Sequence, residues 1–313
     1  MPAGFHIPGI VQNYHHNQIL FTLMEQYPDA FRPETSIASV YGEFPSSLWN
    51  GGRVVGGSLS EQDMRYIIDG INSRGISLRY TFTNPLIGKQ HLDDVHCNRC
   101  LKLADREDRL NAAIVVSPEL EKFIRKKYPN CRIVSSTCKQ IRDFDKLCEE
   151  LEKDYACVVL DYNFNNQFEL LEKLPHKERV EILINPLCPP ACPRRGKHYN
   201  FLGRLQIAFS EYVKKNGSPR GFDSRFTEEF KCPHTEDTIY DITKYSTHVS
   251  PDDIYEKYVP MGFQNFKIEG RSASYLNLIE TYMYYMVRPE HRDQIRMKFF
   301  GLMQQNNMLH IED

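Results

Sequence analysis

The 313 residues carry a formal net charge of −2, with 41% hydrophobic and 26% charged side chains. That balance predicts an ordinary folded chain able to bury a sizeable core, and it offers no general attraction to nucleic acid or anionic membrane. No run approaches the roughly 18 apolar residues that a membrane span requires. Residues 1–12 also lack the basic start and apolar run of a secretory signal, so a cytoplasmic protein with no membrane contact is expected.

Strands are predicted near 5–11, 36–41, 77–83, 112–116, 132–136, 156–161, 180–185 and 264–268. Several, such as Ala113-Ile114-Val115-Val116 and Cys157-Val158-Val159-Leu160, are apolar on both faces, which suits parallel strands covered by helices. Helical stretches lie between them. Ser60 is the expected cap of a helix running to about Ser73, with Asp63 at its third position and Gly75 after its end. Ser117-Pro118 and Ser250-Pro251 read as cap and first-turn proline. Phe144, Leu147, Cys148 and Leu151 form one apolar stripe. Residues 84–104 and 186–263 read as long connections, of which Lys214 to Arg225 looks loose and basic. The segment from Tyr275 to Gln305 is helical and rich in Tyr, Met and Phe, suited to packing the barrel exterior or a partner subunit. Eight strands alternating with helices predict one (β/α)8 TIM-like barrel over 1–313. It carries a cysteine-containing insertion at 186–263 and C-terminal helices at 272–313. A doubly wound open sheet is the rival.

In such a barrel, functional side chains stand at the C-terminal ends of the strands. Those ends lead to His15-His16, to Tyr41 and Glu43 with Arg53 following, to Thr83-Asn84, to Ser135 through Cys138, to Asp161 and to Asn185. Nine cysteines in a reducing compartment point to metal ligands, a reactive thiol or small core residues rather than disulfides. Cys188 and Cys192 are four apart among prolines, and Cys232-Pro233-His234 repeats the Cys-Pro element. Thiolates so spaced suit an iron–sulfur cluster or zinc. The fourth ligand is Cys138, or one of the Cys97–Cys100 pair beside His96, or His234, or an open position. Arg194, Arg195 and Lys197 would offset the negative charge of such a cofactor. Alternation along the last strand puts Lys267, Glu269 and Arg271 on one side. They form either a substrate-binding and acid–base row, joined by Glu43 and Asp161, or an internal salt-bridge network. The polar run His91 to Cys97 reads as a lid, a hard-metal site or an ordinary exposed loop.

The "FKIEGR" element at 266–271 resembles the hallmark of the collagenase-like peptidase family U-thirty-two. Ser36 to Gly42, Arg74 to Tyr80 and Ile133 to Thr137 are similar to other family strands in order and spacing. The resemblance implies a barrel and a [4Fe–4S] cluster held by four cysteines, as in members that hydroxylate ubiquinone precursors or RNA bases without oxygen. Other members are described as peptidases. This chain departs from the pattern in its proline-rich cysteine region and after Glu43, at Phe44-Pro45, where some cluster-binding relatives carry a cysteine. Three functions are therefore expected as alternatives. One is a metal-dependent enzyme modifying a small molecule or nucleobase. The second is a peptidase using Cys138 and a histidine brought near by folding. The third is a non-catalytic subunit associating, with itself or a partner, through the C-terminal helices.

Overall fold

The computed structural model describes residues 2–51, 57–223, 232, 234, 237–271 and 273–309, so Arg53, Arg225 and Pro233 lie outside the described residues. Eight strands form in chain order: β1 (Ala3–Pro8), β2 (Thr35–Gly42), β3 (Ser77–Phe82), β4 (Ala112–Val115), β5 (Arg132–Ser135), β6 (Cys157–Val159), β7 (Val180–Leu183) and β8 (Asn265–Lys267). Each pairs in parallel with the next. β8 then pairs with β1 through Gly4 with Asn265, Phe5 with Phe266 and His6 with Lys267. That last pairing closes the barrel and removes the open-sheet alternative. β1 stops short of its expected end because Gly9 takes a φ of 93° and turns the chain.

Helices cover the outside. α1 (Tyr14–Gln26), α2 (Glu61–Asn72), α3 (Val95–Ala104), α4 (Pro118–Lys127), α5 (Phe144–Leu151) and α6 (Phe168–Leu171) follow the first six strands. The caps form as the sequence predicts. The Asp63 amide donates to Ser60 Oγ at 3.1 Å, and the Leu120 amide donates to Ser117 Oγ at 3.3 Å. The 84–104 segment differs from expectation. It carries α3, whose cap is Asp94, accepting from the Cys97 amide at 2.8 Å. The polar run before it hid the helix, because the residues that cap a helix are the same ones that make a loop.

Inside the 186–263 insertion a 22-residue helix, α7 (Arg195–Asn216), ends at Gly217 with φ 68°. The C-terminal helices are α8 (Tyr275–Met286) and α9 (Arg292–Gln305). Their aromatic and Met side chains, including Tyr282, Met283, Met286, Phe299 and Met303, are buried in the chain's own outer core. Tyr282 donates from its hydroxyl to Asn17 Oδ1 on α1 at 2.8 Å. Among the described residues no helix is long and apolar enough to cross a membrane.

The lumen mixes a small apolar cluster with buried charge. Tyr41, Ala112, Ile114, Val134, Cys157 and Val159 pack together. Beside them Glu181 accepts from Arg79 Nη1 at 2.5 Å and from Lys267 Nζ at 3.0 Å. Burial by itself would raise the Glu181 carboxyl, but the charges of Lys267, His6 and Arg79 outweigh it and pull it down to about 2. Burial, with Arg79 adding, pulls His6 down to about 3, so its ring is neutral.

Replacing Glu181 by Gln leaves two cations buried without their carboxylate, and the expected cost is about 3–5 kcal/mol by urea denaturation at neutral pH. The folded pKa lies below the unfolded one. The contribution is therefore complete above pH 4.5 and is lost as pH falls toward about 2. The wild-type urea midpoint should fall through that window, and the Gln variant should show a flatter profile.

Candidate functional site: a roofed cavity at the barrel mouth

The first residue of α7 ties that helix to the barrel. Arg195 Nη1 donates to Asp161 Oδ2 at 2.8 Å, Nη2 to Thr137 Oγ1 at 2.8 Å and Nε to the Tyr199 hydroxyl at 2.9 Å. Both ionic side chains are fully buried, and the guanidinium lies 4.2 Å from the centroid of the Tyr162 ring. Eight residues on, the Gly203 carbonyl accepts from Asn84 Nδ2 at 3.1 Å. A Cβ at that position would stand 2.5 Å from Asn84 Oδ1, so glycine lets the helix sit directly on the end of β3. Lys214 Nζ then reaches Asp94 at 2.7 Å. α7 therefore runs from the β5 and β6 ends to the β3 end and on to α3, as a roof over the mouth.

Beneath it is a cavity of about 140 Å³. The strands contribute Tyr41, Ile114 and Val159, and the roof contributes His198, Tyr199 and Leu202. Lys267, Glu269 and Arg271 all reach its wall, as strand alternation predicts. Their roles divide. Lys267 is held by Glu181 and lies 4.2 Å from the centroid of the Tyr41 ring. Arg271 donates to Glu43 Oε2 at 2.7 Å and to Thr81 Oγ1 at 2.9 Å, and Thr81 donates to the same Glu43 oxygen at 2.6 Å. Glu269 Oε2 accepts a backbone amide, that of Leu187, at 3.0 Å. The two cations are thus committed to the network, and the carboxylate of Glu269 is the member left beside the cysteines. Glu43 and Asp161 are likewise buried partners of arginines. Arg194 is exposed just before α7.

The nine cysteines lie in distinct surroundings, and Cys148 packs against the outer core. Cys138, Cys188 and Cys232 come from three distant chain segments and line the one cavity. Cys192 stands near enough to Cys188 to influence its charge but does not reach the wall. Burial, reinforced by Glu269, pushes the Cys188 thiol up to about 12. Cys97, Cys100 and Cys131 are packed in the outer core, and burial pushes the last two up to about 12. The Cys97–Cys100 pair therefore supplies no ligand to the mouth. The Cys157 thiol points into the lumen, where Arg79 Nη2 lies 3.7 Å from its sulfur. Cysteine donors at one cavity are the chemistry that iron–sulfur clusters and zinc use. Their positions do not make a ligand set, because among the described residues no three His, Cys, Asp or Glu side chains group to hold a metal.

Two participants escaped the sequence reading. Tyr162 and Tyr199 line the cavity and flank Arg195; only the Arg195–Tyr199 spacing of one helical turn hinted at it. His234 was weighed only as a ligand. Its ring is on the cavity wall, with Nδ1 3.1 Å from Asp237 Oδ2 and from the Tyr245 hydroxyl. The candidates outside the cavity are local. His15 is exposed, His16 stacks on Tyr275, and His91 Nδ1 accepts from the Gly88 amide at 3.1 Å.

No family model and no curated protein matches the chain. A solved structure, that of the U32 peptidase Mk0906, superposes with a TM-score of 0.48 at 12% identity, over 88% of this chain and 93% of that one. The barrel stands on the strand pairings above, and no activity is carried over from that likeness.

Arg195→Lys keeps one charge but loses the forked contacts to Asp161, Thr137 and Tyr199. The roof should loosen. Amide hydrogen exchange in residues 195–203 is expected to speed at least tenfold while exchange in the β1–β4 strands stays unchanged.

Proposed function

We propose that the chain is a barrel enzyme that modifies one ring-sized group of a small molecule or nucleobase inside the roofed cavity. The cavity itself carries the reading. A void of about 150 Å³ lined by apolar side chains holds a benzene ring. The roughly 140 Å³ here therefore matches a single five- or six-membered ring better than several residues of extended peptide. Aromatic and aliphatic side chains on the wall favour the faces of such a ring, and polar groups stand among them.

Two of these polar groups are suited to moving protons. Asp237 holds His234 Nδ1, which leaves Nε2 as the other proton site of the ring. The Glu269 carboxylate is anchored through one oxygen and supplies a negative charge beside the protonated Cys188 thiol. Cys138, Cys188, Cys192 and Cys232 are also the donors that a [4Fe–4S] cluster, or zinc in its place, would use. A cluster would supply the electron transfer that oxygen-independent hydroxylation needs. Among the described residues those donors do not group as a ligand set. A cytoplasmic setting, which keeps such thiols reduced, belongs to the same reading.

Anaerobic purification followed by iron, sulfide and zinc analysis tests the metal part. Stoichiometric metal that disappears in Cys188→Ser and Cys232→Ser supports it. Protein that is metal-free as isolated and still binds single-ring compounds refutes the metal part alone. Failure of ligand-observed NMR to detect any single-ring compound in the cavity refutes the proposed function as a whole.

A further inference from the structure

The end of the barrel opposite the mouth, where the strands begin, carries a separate pocket of about 300 Å³. Arg109 before β4, Arg132 at the start of β5, Ala156 before β6 and Arg125 near the end of α4 line it. Chemistry in such a barrel belongs to the mouth, so the proposed function makes no use of this floor.

The floor holds more positive charge than its carboxylates neutralise. Arg132 lies on the side of β5 that carries the lumen residue Val134, and its Nη2 donates to the Leu110 carbonyl at 2.6 Å. The groups that act most on its charge are two cations, Arg79 and Arg109, and two thiols, Cys157 and Cys131. Burial, with both arginines adding, holds its guanidinium below the usual arginine value. Arg109 is exposed and makes no ion pair among the described residues. Its φ of 52° is a left-handed conformation that few residues other than glycine adopt. Arg125, by contrast, is satisfied by Glu121 at 3.1 Å and by Asp154 at 3.3 Å, so the carboxylate on this wall is taken. Above the floor, Glu181 already serves both Arg79 and Lys267.

We infer that this pocket binds a phosphate group between Arg109 and Arg132. The two guanidiniums are near enough to act on each other's charge, and an anion between them turns that repulsion into two attractions. Planar guanidinium donors meet phosphate oxygens in charge-assisted pairs, which a single ammonium does less specifically. The pocket opens to solvent with room beyond one phosphate, so the group can arrive as the free ion or as the end of a phosphate monoester. The recognising chemistry is the same for both. Such a ligand binds at the far end of the barrel from the mouth cavity and takes no part in the reaction there.

The test titrates inorganic phosphate and glycerol 3-phosphate into the full chain by calorimetry, at an ionic strength held constant with sodium chloride. Wild type should show saturable one-site binding. Arg109→Gln and Arg132→Gln should each weaken it about tenfold or more. Arg109 is exposed, so its variant keeps the test sound even if Arg132→Gln disturbs the floor. Lys126→Gln removes an exposed α4 cation that does not line the pocket, and it should leave the affinity unchanged. The tighter of the two ligands identifies the source of the phosphate group, and either order supports the site. No saturable binding of either ligand to wild type would overturn the inference. Equal weakening by Arg109→Gln and Lys126→Gln would overturn it as well, by showing a diffuse attraction to surface charge.

Discussion

The buried pair of Arg195 and Asp161 is the constraint on which the site depends. A guanidinium and a carboxylate taken wholly out of water are stable only when their remaining hydrogen-bonding capacity is met, and here Thr137, Tyr199 and the Tyr162 ring meet it. The pair fixes where α7 begins. Gly203 on Asn84 and Lys214 on Asp94 then fix its course, so a loop insertion becomes a rigid roof. Without that first contact the barrel mouth would be an open bowl, and the thiols, Tyr162 and His234 would not enclose a common volume.

Below the roof, the lumen is held by charge compensation. Glu181 gathers Arg79 and Lys267, and Glu43 gathers Arg271. Each of these cations is already spent on a buried carboxylate. Lys267 ends β8, and Glu269 and Arg271 follow it to the same wall, where Glu269 is held by a backbone amide. The two readings of that row, site and salt-bridge network, are therefore both realised, in different members.

The cysteines show the same division. Those on α3 and before β5 fill the outer core, where a small apolar side chain is what the packing needs. Cys138 and Cys188, after β5 and β7, and Cys232 in the insertion face the cavity. A C-x-x-C spacing such as Cys97 to Cys100 reads as a ligand motif, but on a helix whose inner face packs against strands it is a pair of core positions. What decided between these outcomes was which surface of the element faced the core.

The sequence by itself determined the barrel. Eight strand positions, the caps at Ser60 and Ser117 and the shared side of Lys267, Glu269 and Arg271 all follow from local rules, period two in strands and side-chain oxygens at helix starts. The strand ends also pointed to Cys138 and Cys188 because chain direction in a parallel barrel dictates which end carries the loops. Tertiary structure alone decided that α7 covers the mouth, that Arg195 serves the roof, that its guanidinium lies over the Tyr162 ring and that His234 meets Asp237 at the wall. Each of these depends on contacts between segments tens of residues apart or on the course of a long insertion. A hydrogen bond forms or fails on a few tenths of an ångström, and no periodicity in the sequence records such a distance.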